Sequence, residues 1–239
     1  MDGLKASTKP AQPGTRQREQ RYAHTPNGLV RRSLLAGIAG SAFSAGCPGP
    51  NVAGPSPSPT PRLPNPLPAG IPNGTAFTNL ALVQSLAERA RPGSILAQIG
   101  CQRVDFTGRC RADDLWSYSF YFLDEAGALR LDGWRAWADG RIEYIEALLV
   151  TIRVEIGNLR GFLAVDSDRG VDVSLSEGGQ ACIDRSPNDG WYQTAQYSYL
   201  FSEPTLQISL FKNGGAGASD VYLNPTDGSV KARFVSCPS

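Results

Sequence analysis

The chain has 239 residues, of which 41% are hydrophobic, and a formal net charge of +1 at pH 7. This total hides two opposed parts, because residues 1–46 hold seven basic and two acidic residues whereas residues 47–239 hold 16 and 20. The second part therefore has a net charge of −4 and lacks the basic stripe that phosphate recognition requires. We expect no nucleic-acid partner.

A short export signal is predicted at the end of the basic part. Arg31 and Arg32 precede an apolar run from Leu34 to Ala45, which cannot span a membrane because a transmembrane helix needs about 20 residues. Residues 31–35 resemble the twin-arginine export signal. That resemblance implies an exported protein, with residues 1–46 as the signal.

The long polar segment before Arg31 is predicted to be disordered, because it has little apolar periodicity. Translation that begins near Val30 would instead give the signal a conventional short positive flank. The sequence does not decide between a start of translation at Met1 and one near Val30.

The stretch Phe43–Cys47 is similar to a bacterial lipobox, except that Ser44 stands where that motif usually has Leu. The resemblance implies that Cys47 carries diacylglycerol, with palmitate among its acyl chains, and anchors the protein to the cell membrane or the outer membrane. In the alternative, an ordinary signal peptidase cuts nearby, for instance after Ala42, and Cys47 is a plain cysteine.

A proline-rich tether is predicted over residues 47–74. Ten prolines lie between Pro48 and Gly74, and proline fixes φ and removes a backbone donor. Such a segment favours extended polyproline II, at about 3.1 Å per residue. It separates the anchor from the folded part.

Residues 75–157 are predicted to form a first unit, a helix followed by antiparallel strands. Thr78 or Asn79 can cap a helix that runs to Ala90 and ends at Pro92-Gly93. Apolar residues then alternate at period two, which indicates half-buried strands. These alternating stretches are 116–122, 129–131 and 148–156, and Asp139-Gly140 predicts a hairpin among them.

Residues 158–239 are predicted to form a second unit of the same kind. Asp166-Ser-Asp168 can cap a helix that stops at Gly178-Gly179, although the alternation in Val171–Leu175 also suits a strand. Four strands follow, at 191–201, 205–211, 220–223 and 230–235, with a final hairpin at Thr226-Asp227-Gly228.

The second unit resembles PepSY-like modules, small envelope domains in which a helix packs on an antiparallel sheet. The residues that carry the resemblance are Val165–Asp168, Gly178-Gly179 and the closing stretch Val221–Val230. The fold is therefore predicted to be α+β, with two duplicated PepSY/cystatin-like units. The resemblance implies a binding or modulating role, such as restraint of a peptidase.

Four cysteines remain once Cys47 is set aside, and an oxidising compartment allows them to pair. Of the three pairings, we favour Cys101 with Cys110 and Cys182 with Cys237. No CxxC pair is present, so a cysteine metal site is disfavoured.

Catalysis is disfavoured because the chain contains a single histidine. The only histidine, His24, lies upstream of the signal, which argues against Ser-His-Asp and Cys-His catalysis and ordinary zinc sites. Adjacent acids such as Asp113-Asp114 are expected to be solvated, although calcium at Asp166-Ser-Asp168 stays an alternative. We therefore expect no cofactor, no metal and no enzyme.

Aromatic residues offer the remaining sequence signal for binding. Trp134 and Trp137 flank Arg135 near the predicted hairpin and would point to opposite sheet faces, which leaves one of them for a ligand. The sequence predicts a non-enzymatic envelope lipoprotein that binds a protein partner, as an accessory subunit or a peptidase modulator. The alternative is a glycan or small-ligand binder that uses exposed aromatics.

Overall fold

The structure is a computed structural model that describes residues 63–150, 157–200, 202–214 and 217–237. Arg31, Arg32 and Cys47 lie outside the described residues, as do most of the predicted tether and the predicted strand over 151–156. Part of the glycine-rich loop before residue 217 also lies outside them.

Eight strands and three short α-helices make up the described chain. The helices are α1 (Leu80–Ala90), α2 (Ser167–Ser174) and α3 (Gln180–Arg185), with a 3₁₀ turn at Leu159–Phe162 and a π turn at Leu175–Gly179. The strands are β1 (Ile95–Val104), β2 (Leu115–Leu123), β3 (Leu129–Trp137), β4 (Ile142–Leu149), β5 (Tyr192–Leu200), β6 (Glu203–Phe211), β7 (Gly217–Leu223) and β8 (Val230–Val235).

All eight strands form one antiparallel sheet, in the order β4-β3-β2-β1-β5-β6-β7-β8. The prediction of an α+β fold built from two PepSY/cystatin-like helix-plus-sheet units is therefore wrong, since β structure dominates and the sheet runs through both halves. β1 and β5 pair with each other, as in Ile99 opposite Tyr197. This pairing satisfies backbone groups that would be exposed at the edges of two separate sheets.

The predicted hairpins at Asp139-Gly140 and Thr226-Asp227-Gly228 are confirmed, and they join β3 to β4 and β7 to β8. Gly140 and Gly228 both have positive φ, +87° and +77°, which glycine adopts without steric cost. No sequence pattern predicted β1, which is one of the two central strands.

The helix at 80–90 is also confirmed, but Asn79 has a different role from the one predicted. Its side chain makes no capping hydrogen bond to the helix. Instead its Oδ1 accepts from the Ile71 N–H at 2.7 Å and its Nδ2 donates to the Ile71 carbonyl at 2.9 Å. Asn79 thereby fastens the segment before α1.

Part of the predicted tether belongs to the folded domain. Leu63 and Leu67 pack against the main hydrophobic core. The Gly70 N–H donates to the Gly140 carbonyl at 2.7 Å, and the Asn73 N–H donates to the Ala138 carbonyl at 2.9 Å. Residues 63–74 therefore pack onto the β3–β4 turn and the core.

The second helical segment begins as predicted, at Asp166, but does not stop at Gly178-Gly179. Gly178 adopts φ +120° inside the π turn, and helical conformation resumes at Gln180. Gly178 therefore produces a kink within one helical segment, because a residue without Cβ tolerates this backbone conformation.

The helices cover one face of the sheet, which we call the inner face; the opposite face is the outer face. Tyr197 marks the inner face, because its ring packs on Phe77 just before α1 and its hydroxyl donates to the Val165 carbonyl just before α2. The largest fully buried side chains include Trp134, Tyr118, Tyr197 and Phe120. Burial of such rings supplies most of the stabilisation of a domain of this size.

Candidate interaction surface on the outer sheet face

The structure separates the predicted aromatic binding residues. Trp134 is 0% exposed and packs against Tyr144 on the inner face, with ring centroids 5.0 Å apart. It cannot meet a ligand. Trp137 lies on the outer face, so the predicted opposite orientation of the two tryptophans is confirmed.

Trp137 and Arg135 lie close together but are already engaged. The Arg141 guanidinium covers the Trp137 ring at 4.5 Å, and the Trp137 indole N–H donates to Glu143 at 3.1 Å. Arg135 lies 3.7 Å from the same carboxylate. These residues form a polar margin beside the β3–β4 turn, and the covered indole offers little stacking surface.

The favoured cysteine pairing is confirmed. Cys101 is bonded to Cys110, nine residues on, and Cys182 is bonded to Cys237, 55 residues on. The first disulfide closes the loop between β1 and the bridge at Cys110, and the second attaches α3 to the residues that follow β8. Both have a structural role.

Asp166 joins α2 to the segment that precedes α1. Its carboxylate accepts from the Ser167 N–H at 2.6 Å, from the Thr75 hydroxyl at 2.6 Å and from the Phe77 N–H at 3.2 Å. These contacts account for both oxygens, so Asp166 acts as a helix cap and a crosslink. Within the described residues no group of three or more His, Cys, Asp or Glu side chains could hold a metal ion.

Asp132 is a buried carboxylate that the sequence analysis did not single out. It accepts from the Tyr144 hydroxyl at 2.9 Å and lies 3.6 Å from Nε of Arg91, whose guanidinium packs over Phe122. Burial raises the pKa of Asp132, against the opposing effects of Tyr144 and Arg91. The group supports the end of α1 and does not open onto a cleft.

On the outer face, the central strands carry mainly hydroxyl, amide and glycine positions. Asp220 of β7 lies beside them, where its carboxylate accepts from Ser209 and Gln207. One row of paired residues crosses all eight strands, and it has ionic residues only at its β4 and β3 end. In order from β4 to β8 the row is Glu143, Arg135, Ser117, Gly100, Gln196, Gln207, Tyr222 and Ala232. Depletion of charge at the centre of a surface is typical of an interface core.

An apolar area adjoins this row near the β2–β3 turn. We call Leu123, Leu129, Leu131 and Leu148 the leucine patch. Leu123 pairs with Leu129, and Leu131 pairs with Leu148, so all four side chains lie on the outer face. Leu123 is 68% exposed and Leu148 is 48% exposed. A contiguous exposed apolar area of this kind marks a site of association in many soluble proteins.

No family model, curated protein or solved structure matches the chain. In the part of the chain that the structure describes, no helix is both long and apolar enough to cross a membrane.

Proposed function

We propose that this protein is an exported, non-enzymatic envelope lipoprotein, anchored through Cys47, whose domain binds a protein partner through the leucine patch. The supporting observation is the exposure of Leu123 and Leu148 on a sheet face that no described helix covers. A partner with a complementary apolar surface would remove these side chains from water, at about 25 cal/mol for each Å² of apolar area.

Two further features agree with export. The paired Cys101–Cys110 and Cys182–Cys237 are typical of an oxidising compartment outside the cytosol. Arg31-Arg32 resembles a known export signal, and Cys47 resembles the lipid attachment site of bacterial lipoproteins. A role as an accessory subunit or as a modulator of a peptidase fits a module that binds and does not catalyse.

The test is affinity capture from solubilised envelopes with the full chain and with the double variant Leu123→Ser, Leu148→Ser. Recovery of a stoichiometric partner is expected to fall at least about tenfold, because two exposed leucines at an interface core contribute more than about 1.4 kcal/mol together. Phe234→Ser is the matched control, since Phe234 is 64% exposed at the far edge of the sheet.

Phe234→Ser should leave recovery unchanged, and all variants should keep the wild-type thermal transition. A partner whose recovery is insensitive to the leucine double variant would contradict the proposed surface. Mass spectrometry of the same membrane fraction tests the anchor: an unmodified amino terminus upstream of Cys47 in the exported protein would contradict lipid attachment.

A further inference from the structure

A small cavity opens on the outer face where β1 is irregular. The pairing of β1 with β2 shifts between Leu96 and Gln98, and such a bulge locally bends a strand. The cavity has a volume of about 250 Å³ and extends across β3, β2, β1 and β5. The residues that line it are Ala97, Gln98, Ser119, Tyr121, Leu131, Ser198 and Tyr199.

Two polar side chains in the cavity are available to a ligand. Gln98 and Ser119 lie opposite each other in the pairing of β1 with β2, and both are half-buried. Neither side chain hydrogen-bonds to any residue that the structure describes. Ser198 adds a second hydroxyl, whose one side-chain contact is the long 3.5 Å bond from Gln196. Together they present an amide and two hydroxyls.

Gly100 makes room for this arrangement. A Cβ at Gly100 would lie 4.0 Å from Nε2 of Gln98 and 3.7 Å from Oγ of Ser117, so a larger side chain would fill the space over β1. Because Gly100 has no side chain, nothing projects from the sheet surface at its position in the row beside the cavity. A flat ligand that enters the cavity can therefore extend over Gly100 towards Gln196.

The cavity also has apolar walls and no charge. Tyr121 supplies an aromatic ring with a phenol whose pKa is raised by burial, so the hydroxyl stays protonated, and Leu131 and Ala97 supply aliphatic surface. None of the lining residues is Asp, Glu, Lys, Arg or His. An ionic ligand would lose its hydration here without gaining a counter-charge.

We infer that this cavity binds one ring of a neutral saccharide. A sugar ring has hydroxyls that match the amide and hydroxyls of Gln98, Ser119 and Ser198, and an apolar face that matches Tyr121. The volume lies just below the roughly 300 Å³ that marks the lower end for drug-sized ligands, which suits one ring and not an entire oligomer. The remaining rings of a polymer would lie along the uncharged row.

The test is native affinity electrophoresis of the full chain in gels that contain hydroxyethylcellulose, galactomannan or dextran, with polygalacturonate as the charged comparison. We expect at least one neutral polymer to retard the protein. Polygalacturonate should leave its migration unchanged. Tyr121→Ala and Gln98→Ala should each weaken the retardation at least about fivefold, the effect of one lost contact. Tyr121→Phe keeps the ring and should bind within about twofold of wild type.

Tyr192→Ala is the matched control, because Tyr192 lies on the same face but outside both the cavity and the uncharged row. It should bind as wild type does. The inference would be overturned if the protein migrated through all three neutral-polymer gels as fast as through a gel without polymer. Equal retardation of wild type, Tyr121→Ala and Gln98→Ala would also overturn it. If these two variants lose a protein partner while no polymer binds, the cavity belongs to a protein interface and the saccharide inference fails.

The saccharide site and the proposed protein surface can fail separately. Leu131 belongs both to the leucine patch and to the cavity wall, but Leu123 and Leu148 do not line the cavity. The Leu123→Ser, Leu148→Ser variant should therefore keep its saccharide affinity while losing its protein partner. Gln98→Ala should do the reverse, because Gln98 lies outside the leucine patch.

Discussion

At the scale of single residues, Gly108 shows how closely the loop that the Cys101–Cys110 disulfide closes approaches α2. Gly108 has φ +77°, and a Cβ there would lie 2.3 Å from the backbone N and Cα of Asp168. Its carbonyl accepts from the Ser167 hydroxyl at 2.6 Å, and the same oxygen of Ser167 accepts from the Ala76 N–H at 3.0 Å. Three segments of the chain therefore meet at one buried serine.

Gly108→Ala is expected to lower the free energy of unfolding by about 3 kcal/mol, because the left-handed backbone and the clash with Asp168 both oppose it. Gly127→Ala is the matched control. Gly127 has φ +75° with nothing within 4 Å of its Cβ position, so only about 1 kcal/mol should be lost. Urea denaturation measures both, and equal losses would show that the contact with α2 is not close.

At the scale of elements, β8 is an edge strand that is held to the helical segment. Cys237, just after the strand, is bonded to Cys182 in α3. Arg233 pairs with Glu177 of the π turn, and Val235 lies against Gly178. The kink at Gly178 thus places the π turn over the end of β8.

Replacement of Cys182 and Cys237 by Ala is expected to cost about 4 kcal/mol, since the disulfide closes a loop of 55 residues and the entropy of the unfolded chain rises when that loop opens. The same replacement of Cys101 and Cys110, nine residues apart, should cost about 2.5 kcal/mol. Urea denaturation of the two double variants compares them. A larger loss for the short loop would contradict the chain-entropy explanation.

Local sequence signals predicted most elements but missed β1. Strands β2 and β5 alternate regularly, and α1 has clear ends, so period and capping were sufficient there. In β1 the outward positions are Ala97, Gln98 and Gly100, which have low strand propensity, and the bulge breaks the alternation. The features that hid the strand also form the cavity, which the sequence analysis therefore missed as well.

Gly178-Gly179 illustrates a second limit of local signals. Two glycines after an amphipathic segment normally end a helix. Here the helical segment continues because Cys182 and Ile183 of α3 pack with Trp191 and Leu210 in a second hydrophobic cluster. Burial of those side chains outweighs the cost of two glycines, and no local pattern shows that burial.

At the scale of the whole molecule, the fold depends on one pairing that the sequence did not reveal. The hairpins within each half could be recognised from local patterns, but the pairing of β1 with β5 involves residues about a hundred positions apart. Periodicity shows which residues face a core and not which distant strand they join. Leu96 and Ile99 of the first half share one core with Leu206 and Ile208 of the second.

We therefore expect the described domain to unfold in a single cooperative step. Hydrogen exchange of the full chain at rising urea, followed by mass spectrometry, should give the same midpoint for peptides from β2–β3 and from β6–β7, because the central strands connect both halves. Midpoints that differ by more than the fitting error would mean that the two halves unfold independently.

The central position of β1 also affects the order of events during synthesis. Among the described strands, β1 is the first to leave the ribosome, and its neighbour β2 begins 20 residues after β1 begins, but β5 begins only at Tyr192. Until then one side of β1 has unpaired backbone groups, which attract other strands and favour aggregation. Contacts between distant residues also slow folding. The nascent chain therefore carries an open sheet edge from the completion of β1 at Val104 until Tyr192 is made, and the two halves of the sheet can pair only after that point.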